Sequence, residues 1–182
     1  MAKLTSSLFL VLLLVLSMTA FLAQAAPFEQ VGSKKIIQLN YYLIEITSGP
    51  NATLVSVAGI AGKLWAPNTF GTIFVGDNLL TEGPSTSSPK VGQVRGLVVV
   101  SSKDGSANYI SSSITFTNRE YNGSTLQVQG TFNRNSRQPS LLSIIGGTGK
   151  FEGAKGSAFL QTYSSSITMS ITRIIYKIEL YK

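Results

Sequence analysis

Apolar and polar residues alternate with a period of two along most of the chain, which is the pattern of half-buried β-strands. The clearest run is at the C-terminus, where an apolar face opposes a charged one: Ile174, Tyr176, Ile178 and Leu180 face away from Arg173, Lys177 and Glu179. Residues 109–117 and 124–132 alternate in the same way. No segment combines helical periodicity with helix caps, so the sequence predicts an all-β fold.

Turn-forming pairs such as Asp104-Gly105, Asn122-Gly123 and Gly146-Gly147 divide the chain into eight or nine predicted strands. We expect strands at about 36–46, 53–60, 70–77, 91–101, 108–118, 124–132, 140–145, 156–163 and 167–181. This number favours an eight-stranded antiparallel up-and-down β-barrel, because closure removes exposed sheet edges. A β-sandwich is the alternative. A barrel of eight strands has room for one small ligand.

The N-terminus has the three-part layout of a secretory signal peptide. Lys3 supplies a positive start, residues 8–22 are apolar, and Ala23-Gln24-Ala25 offers a cleavage site. The apolar run is shorter than the roughly 20 residues that a spanning helix needs. We therefore expect a signal peptide over residues 1–25, a secreted protein with one domain over 26–182, and no membrane association.

The amino-acid composition excludes several classes of catalytic and metal-binding site. The chain has no cysteine and no histidine, which excludes disulfides, thiolate metal sites and Ser-His-Asp triads. We expect neither a metal nor a cofactor, and the eight acidic residues must carry any acid–base work. The net charge is +7, but the basic residues are scattered, whereas a nucleic-acid footprint is clustered. Nucleic acid is therefore not an expected partner, while an acidic wall polymer is compatible with the charge.

Two acidic residues at the ends of apolar strands are candidate catalytic groups. Glu45 shares strand parity with Tyr41 and Leu43. If that face points into the barrel, desolvation raises the pKa of Glu45 and makes it a proton donor or acceptor; otherwise it is a solvated strand end. Asp77 follows another apolar run and is either an interior acid or the cap of a turn to Asn78.

Binding and modification sites are also suggested by residue type. Some aromatic side chains could line a pocket and stack on an aromatic ligand, and Tyr41 and Phe132 are the candidates because they lie on apolar strand faces. Asn51 and Asn122 begin Asn-x-Ser/Thr sequences in predicted turns. Both are candidate N-glycosylation sites in a secreted chain.

Several ordered blocks of the chain resemble the plant dirigent family. Residues 70–84 begin with Phe-Gly-Thr and end with Leu-Thr-Glu-Gly-Pro, and residues 91–96, 121–126, 142–151 and 154–156 resemble further blocks of the family. Residues 41–46 lie where the family has Phe-Tyr-x-His-Asp-Ile. The blocks span most of residues 26–182, so this segment is identified as a dirigent-like β-barrel domain.

The resemblance implies an eight-stranded antiparallel barrel, commonly a trimer, in the plant apoplast. Many family members make no radical themselves: a separate oxidase, such as laccase, produces phenoxy radicals from monolignols such as coniferyl alcohol. The dirigent protein holds two radicals so that their coupling to lignans is stereoselective, which is an orientation effect. Acidic side chains assist closure of a quinone methide intermediate. Some relatives instead catalyse loss of water during pterocarpan formation, through a similar intermediate.

The chain departs from the family pattern at positions that matter for this chemistry. Glu45 stands where the family has Asp, and the family's second acid falls on Gly-Thr-Phe at residues 130–132. The usual Arg falls on Ser140, so that Arg137 or Arg134 would have to replace it. The resemblance therefore supports the barrel more strongly than it supports coniferyl alcohol coupling.

These observations define the expected site. Glu45 and Asp77, which matches its family block, are the catalytic candidates; Tyr41, Phe132 and Arg137 are the substrate-binding candidates. The leading hypothesis is a stereodirecting protein of lignan biosynthesis that acts on monolignol radicals from a separate oxidase and works as a homotrimer or dimer. The alternatives are a pterocarpan-synthase-like lyase or cyclase acting on a phenolic quinone methide precursor, and a non-catalytic wall or defence protein.

Overall fold

Nine β-strands form where the sequence alternates, and the computed structural model describes residues 33–181. The strands are β1 (Lys34–Ile46), β2 (Leu54–Ala58), β3 (Ile73–Thr81), β4 (Lys90–Val100), β5 (Ala107–Phe116), β6 (Thr125–Asn133), β7 (Ser140–Thr148), β8 (Lys155–Ser165) and β9 (Met169–Tyr181). The predicted signal peptide, and the mature N-terminus expected near residue 26, lie outside the described residues. Over residues 33–181, no helix has the length and apolar character needed to cross a membrane.

Antiparallel pairing closes eight of these strands into a barrel, which confirms the predicted fold class. β3 to β9 pair in sequence order, and β1 joins the two ends by pairing with β9 along its length and with β3 at residues 79–81. The ninth strand, β2, is short and pairs with residues 73–76 of β3, on the part of its edge that β1 leaves free. The barrel therefore has no long open edge.

One end of the barrel interior is filled by aromatic rings. Tyr41, Phe116, Tyr121 and Phe151 pack with ring centroids 4.9 to 6.3 Å apart. Phe116 and Phe151 are fully buried, as are most of the aliphatic side chains on the inner faces of the strands above them. Burying this much apolar surface is the main source of stability in a domain without disulfides. The opposite end, where β1 ends and β5 begins, is open.

Two predicted turns are strand instead. β3 continues through Asp77 and Asn78, because residues 73–81 pair continuously with β4 apart from one irregularity at the end. β7 continues through Gly146 and Gly147, pairing with β6 across a bulge. Glycine fits there because a Cβ on Gly147 would collide with the carbonyl oxygens of Thr125 and Phe151. Glycine at position 147 therefore allows a close approach of neighbouring backbone, and neither glycine reverses the chain.

Candidate functional site

The open end of the barrel contains a cavity of about 450 Å³, which we call the mouth cavity. Its wall includes Glu45, Asn108, Phe132, Arg134, Leu160 and Thr172. A smaller space of about 50 Å³, the inner cavity, lies deeper among apolar side chains and shares Leu43, Glu45 and Ile110 with the mouth cavity. The mouth cavity has the size of a small-molecule site, and Glu45 lies where the two cavities meet.

Strand parity places Glu45 in the interior. Leu39 and Leu43 precede it on the same face of β1 and are buried in the core, while Glu45 is half-buried at the floor of the mouth cavity. Burial raises the pKa of its carboxyl to about 7, and the positive charge of Arg134 opposes that increase. A carboxyl with this pKa can donate or accept a proton near neutral pH.

A buried amide orients the Glu45 carboxyl. Asn78 Nδ2 donates a hydrogen bond of 3.2 Å to Glu45 Oε1. The amide is itself fixed, since Thr53 Oγ1 donates to Asn78 Oδ1 at 2.7 Å and the Ile46 N–H donates to Thr53 Oγ1 at 2.9 Å. Sequence reasoning missed Asn78, although it shares strand parity with the buried residues Phe74 and Leu80. That parity is the signal that could have revealed it.

Arg134, and not Arg137, shares the mouth cavity with Glu45. The Arg134 guanidinium donates a hydrogen bond of 2.8 Å from Nη1 to the Pro67 carbonyl oxygen, which holds it at the rim. Arg137 lies in the β6–β7 loop and lines a separate space of about 180 Å³ with Phe132 and Ser140. Of the two arginines that could replace the family residue, the structure places Arg134 in the same cavity as the carboxyl, at the rim.

The two aromatic candidates have different positions. Phe132 is half-buried and lines the mouth cavity, where it offers a flat apolar surface. Tyr41 also faces the interior, but it lies nearer the filled end and packs on Phe116 at 6.3 Å between ring centroids. Tyr41 lines neither the mouth cavity nor the inner cavity. The structure therefore brings Phe132, and not Tyr41, together with Glu45.

Asp77 lies on the outer face of the barrel. Its side chain is exposed, and its carboxylate accepts a hydrogen bond of 3.1 Å from Arg95 Nε on the neighbouring strand. The expectation of an interior acid or a turn cap fails because β3 does not end at Asp77: the strand continues, and the interior position passes to Asn78. The structure does not bring Asp77 together with Glu45.

The mouth cavity therefore combines one carboxyl of raised pKa with one guanidinium at the rim and walls of mixed apolar and polar side chains, while the inner cavity is largely apolar. The carboxyl can transfer a proton, and the guanidinium can stabilise an oxygen that becomes negative during a reaction. Among residues 33–181, no group of three or more acidic side chains is arranged to hold a metal ion.

The two candidate glycosylation sites lie on the surface. Asn51 is exposed in the turn after β1, and Asn122 is exposed in the turn between β5 and β6. Neither side chain lines the mouth cavity. Asn122 lies at the filled end of the barrel, whereas Asn51 lies at the open end, in the loop between Thr47 and Leu54, which both line that cavity.

Comparison with known proteins gives consistent matches. A family model described as Dirigent-like protein matches residues 36–181. Dirigent protein 1 of Arabidopsis thaliana is 35% identical over 153 residues, covering 84% of this chain and 83% of the relative. Pterocarpan synthase 1 of Glycyrrhiza echinata is 31% identical over 186 residues, covering 100% and 99%. The solved structure of the pterocarpan synthase dirigent protein GePTS1 aligns with a TM-score of 0.76 at 30% identity, covering 83% and 93%.

The raised pKa of Glu45 predicts a pH-dependent difference in stability between the wild type and Glu45→Gln. A folded-state pKa near 7, against 4.5 for an unperturbed group, means that the folded protein holds this proton more tightly than the unfolded chain. The contribution of the Glu45 proton to the free energy of unfolding is therefore fully present below about pH 4.5 and is lost as the pH rises to about 7. The loss is on the order of 3 kcal/mol.

Urea unfolding of both proteins at intervals from pH 4 to pH 8 measures this difference. Gln keeps the acceptor oxygen for Asn78 but cannot ionise, so subtraction isolates the titration of Glu45. We expect the wild type to lose stability relative to the variant across this window. A difference that stays constant over the whole range would contradict the raised pKa.

Proposed function

This chain belongs to the dirigent family, and we propose on that basis that its mouth cavity binds a phenolic small molecule and controls the stereochemistry of a bond-forming reaction. The observation that carries the proposal is the Glu45 carboxyl, with a pKa of about 7, at the floor of a cavity that is lined by both apolar and polar side chains. The apolar part of the wall, which includes Phe132 and Leu160, suits an aromatic ring, and the carboxyl supplies a proton donor or acceptor at one defined point.

The leading reaction is the coupling of phenoxy radicals that a separate oxidase, such as laccase, generates from monolignols. Walls that hold the radicals in one orientation favour one of several competing couplings. Coupling leaves a quinone methide, which an aliphatic hydroxyl of the coupled substrate itself then attacks. The new C–O bond forms as the hydroxyl loses its proton and the quinone methide oxygen gains one, so no oxidant is needed in this step. Glu45 accepts the proton from the hydroxyl or donates one to the quinone methide oxygen, and Arg134 stabilises the phenolate oxygen as it forms.

A second candidate is loss of water from a phenolic precursor followed by ring closure, with no oxidase. The cavity of about 450 Å³ suits a single ligand, and a protonated Glu45 below pH 7 could give its proton to a departing hydroxyl. The C–O bond breaks and water leaves as the phenolic hydroxyl of the precursor releases its proton to solvent, which gives a quinone methide. A second hydroxyl then adds to the quinone methide and returns a proton to Glu45, while the quinone methide oxygen regains a proton from solvent. Relatives named pterocarpan synthase from Glycyrrhiza echinata and Glycine max support this candidate.

The test combines product stereochemistry with two matched carboxyl-to-amide variants. The full protein is incubated with coniferyl alcohol and laccase, with coniferyl alcohol alone, and with an isoflavanol-type precursor alone, and the products are separated by chiral chromatography. An enantiomeric excess that requires laccase supports radical coupling. Turnover of the precursor without oxidase supports the second candidate. Racemic products and no turnover in every arm would contradict both.

Glu45→Gln is expected to abolish the enantiomeric excess or to reduce precursor turnover by about 10²–10⁴-fold, the usual contribution of a general acid or base. Asp77→Asn makes the same chemical change on the outer face and is expected to keep the wild-type result. Loss of activity in Asp77→Asn with retention in Glu45→Gln would reverse this assignment and restore the role predicted from the sequence.

We also propose that the protein is secreted to the apoplast as a glycoprotein. The signal-like N-terminus and the exposed positions of Asn51 and Asn122 support this proposal. Expressed in plant cells, the protein is expected in the medium or wall fraction with increased mass that an N-glycosidase removes. Asn51→Gln and Asn122→Gln should each remove one glycan. Retention inside the cell, or a mass unchanged by glycosidase, would argue against secretion or glycosylation respectively.

We further propose that the protein assembles with copies of itself through an apolar outer face on β2 to β5, as a trimer or a dimer. Val55, Val75 and Leu97 are cross-strand partners in one row and are 45%, 41% and 47% exposed. Ile73, Val99 and Tyr109 form the adjacent row. A contiguous apolar area of this kind on a sheet face is typical of a protein interface.

Leu97→Lys places a charge at the centre of this face and is expected to convert the oligomer to monomer. Leu141→Lys is the matched control, since Leu141 is also exposed on an outer strand face but lies on β7. Size-exclusion chromatography with light scattering measures both. A monomeric wild type, or equal dissociation by the two variants, would contradict this interface.

A further inference from the structure

Thr53 lies at the point where β3 changes its partner strand. β1 pairs with β3 up to Ile44, and β2 takes over as the partner from Leu54 onward. Between these pairings, the Thr53 N–H donates a hydrogen bond of 2.8 Å to the Ile46 carbonyl oxygen, and the Thr53 carbonyl oxygen accepts one of 2.8 Å from the Asp77 N–H. The backbone of Thr53 therefore bridges the gap between β1 and β3, and its side chain is held at that gap.

The side-chain hydrogen bonds that pass through Thr53 have a fixed direction. The Ile46 N–H donates to Thr53 Oγ1 at 2.9 Å, and a backbone N–H cannot act as an acceptor. Thr53 Oγ1 donates its single hydrogen to Asn78 Oδ1 at 2.7 Å, which leaves Asn78 Nδ2 facing Glu45 Oε1 at 3.2 Å. If the amide were turned over, the Thr53 hydroxyl would lose the acceptor that it has among residues 33–181. Thr53 therefore fixes the orientation of the Asn78 amide.

The two oxygens of the Glu45 carboxyl are consequently not equivalent. Oε1 accepts a hydrogen from Asn78, and in a neutral carboxyl the carbonyl oxygen is a better acceptor than the hydroxyl oxygen. Oε2 has no hydrogen-bond partner among residues 33–181. It is not closed off, since the buried side-chain atoms without a partner in this part of the chain are Thr72 Oγ1 and Asn108 Oδ1. Because Glu45 lines both cavities, Oε2 is the carboxyl oxygen that is open to a ligand.

We propose that Thr53 is a positioning residue that, through Asn78, keeps the proton of Glu45 on Oε2, so that the carboxyl exchanges this proton with the substrate at one fixed atom. This inference rests on the proposed function and deepens it. In ring closure on a quinone methide, the attacking hydroxyl gives its proton to Oε2 as the new C–O bond forms, and the quinone methide oxygen takes a proton from solvent. The neutral carboxyl then releases its proton to solvent, and no oxidant or reductant takes part.

Infrared spectroscopy of the full protein tests the position of the proton without any substrate. At about pH 6 Glu45 is mostly protonated, because its pKa is about 7. Subtracting the spectrum of the corresponding Glu45→Gln protein isolates its carbonyl stretch, whose frequency is lowered by an accepted hydrogen bond. In Thr53→Val the Asn78 amide is free to turn over, so that Glu45 can donate to Asn78 Oδ1 while its carbonyl loses the donor. We therefore expect the band at a higher frequency in Thr53→Val than in the wild type.

Two further variants separate the Thr53 hydroxyl from the other properties of this residue. Thr53 is the third residue of the Asn-x-Thr sequence that begins at Asn51, so Thr53→Val also removes a candidate glycosylation site. Asn51→Gln removes that site alone and is expected to keep the wild-type band. Thr53→Ser retains the hydroxyl and is expected to restore the wild-type band. If Thr53→Val does not fold, Thr53→Ala removes the same hydroxyl with a smaller side chain.

The product assay measures the consequence for the reaction. With whichever substrate the wild type converts, Thr53→Val is expected to lower kcat about tenfold, the size of effect expected for one lost hydrogen bond. KM should stay unchanged because Thr53 acts on Glu45 through Asn78 and does not line either cavity. Thr53→Ser should restore kcat, and Asn51→Gln should keep it.

The spectroscopic and kinetic outcomes separate this inference from the proposed function. An unchanged band in Thr53→Val would overturn the assignment of the proton to Oε2, as would an equal shift of the band in Thr53→Ser or Asn51→Gln. A shifted band with an unchanged kcat would overturn the role of Thr53 in the reaction. A wild type that converts none of the phenolic substrates would contradict the proposed function, while the infrared comparison would still decide where the Glu45 proton lies.

Discussion

Pairing of β1 with both β9 and β3 is the constraint on which the rest of the structure depends. It closes the sheet, so each strand has one face toward the interior and one toward solvent, and alternate residues are divided between them. Because of this closure, a single shift of strand register would exchange the interior and exterior residues of β1, and Glu45 would leave the cavity. The position of the carboxyl is therefore set by backbone pairing over the whole strand.

The two ends of the barrel use their interior differently. The aromatic end is filled by side chains that need no hydrogen bond, which favours stability. The open end holds Glu45 and Asn108, whose burial costs stability, and Asn78 lies deeper, beside Glu45. Asn78 has its partners within the protein, whereas Asn108 lacks one for Oδ1 and burial disfavours the charged form of Glu45. Departures of this kind from the most stable arrangement are typical of functional sites.

Much of this arrangement could be predicted from the sequence because it depends on local alternation. Parity put Glu45 and Phe132 on the apolar faces of their strands, although it left open whether Glu45 is interior or a solvated strand end, and strand number with turn chemistry indicated the barrel. The same reasoning failed at Asp77. The sequence suggests that the strand ends there, whereas β3 continues to Thr81, and Asp77 lies on the outer face while the next residue, Asn78, lies on the inner face. It named Arg137 as the binding arginine, whereas the structure places Arg134 in the mouth cavity, and it had no means to decide between them because loop residues have no periodicity. Asn78 and Asn108 needed the tertiary structure, because their importance lies in which hydrogen bonds they make or lack.

A single carboxyl limits what the cavity can do and thereby links the candidate reactions. Among the described acidic residues, Glu45 is the one that lines the mouth or inner cavity. Ring closure on a quinone methide needs a proton removed from one oxygen and supplied to another, and a lone carboxyl can do these steps in turn if its pKa is close to neutral. Burial gives Glu45 that pKa, while Arg134 can stabilise the oxygen that is waiting for its proton. One acid cannot, however, decide which face of a planar intermediate is attacked. That choice must come from the cavity walls, which hold the ring of the intermediate in one orientation. In radical coupling and in loss of water alike, the stereochemistry therefore depends on the walls, and the proton transfer depends on Glu45.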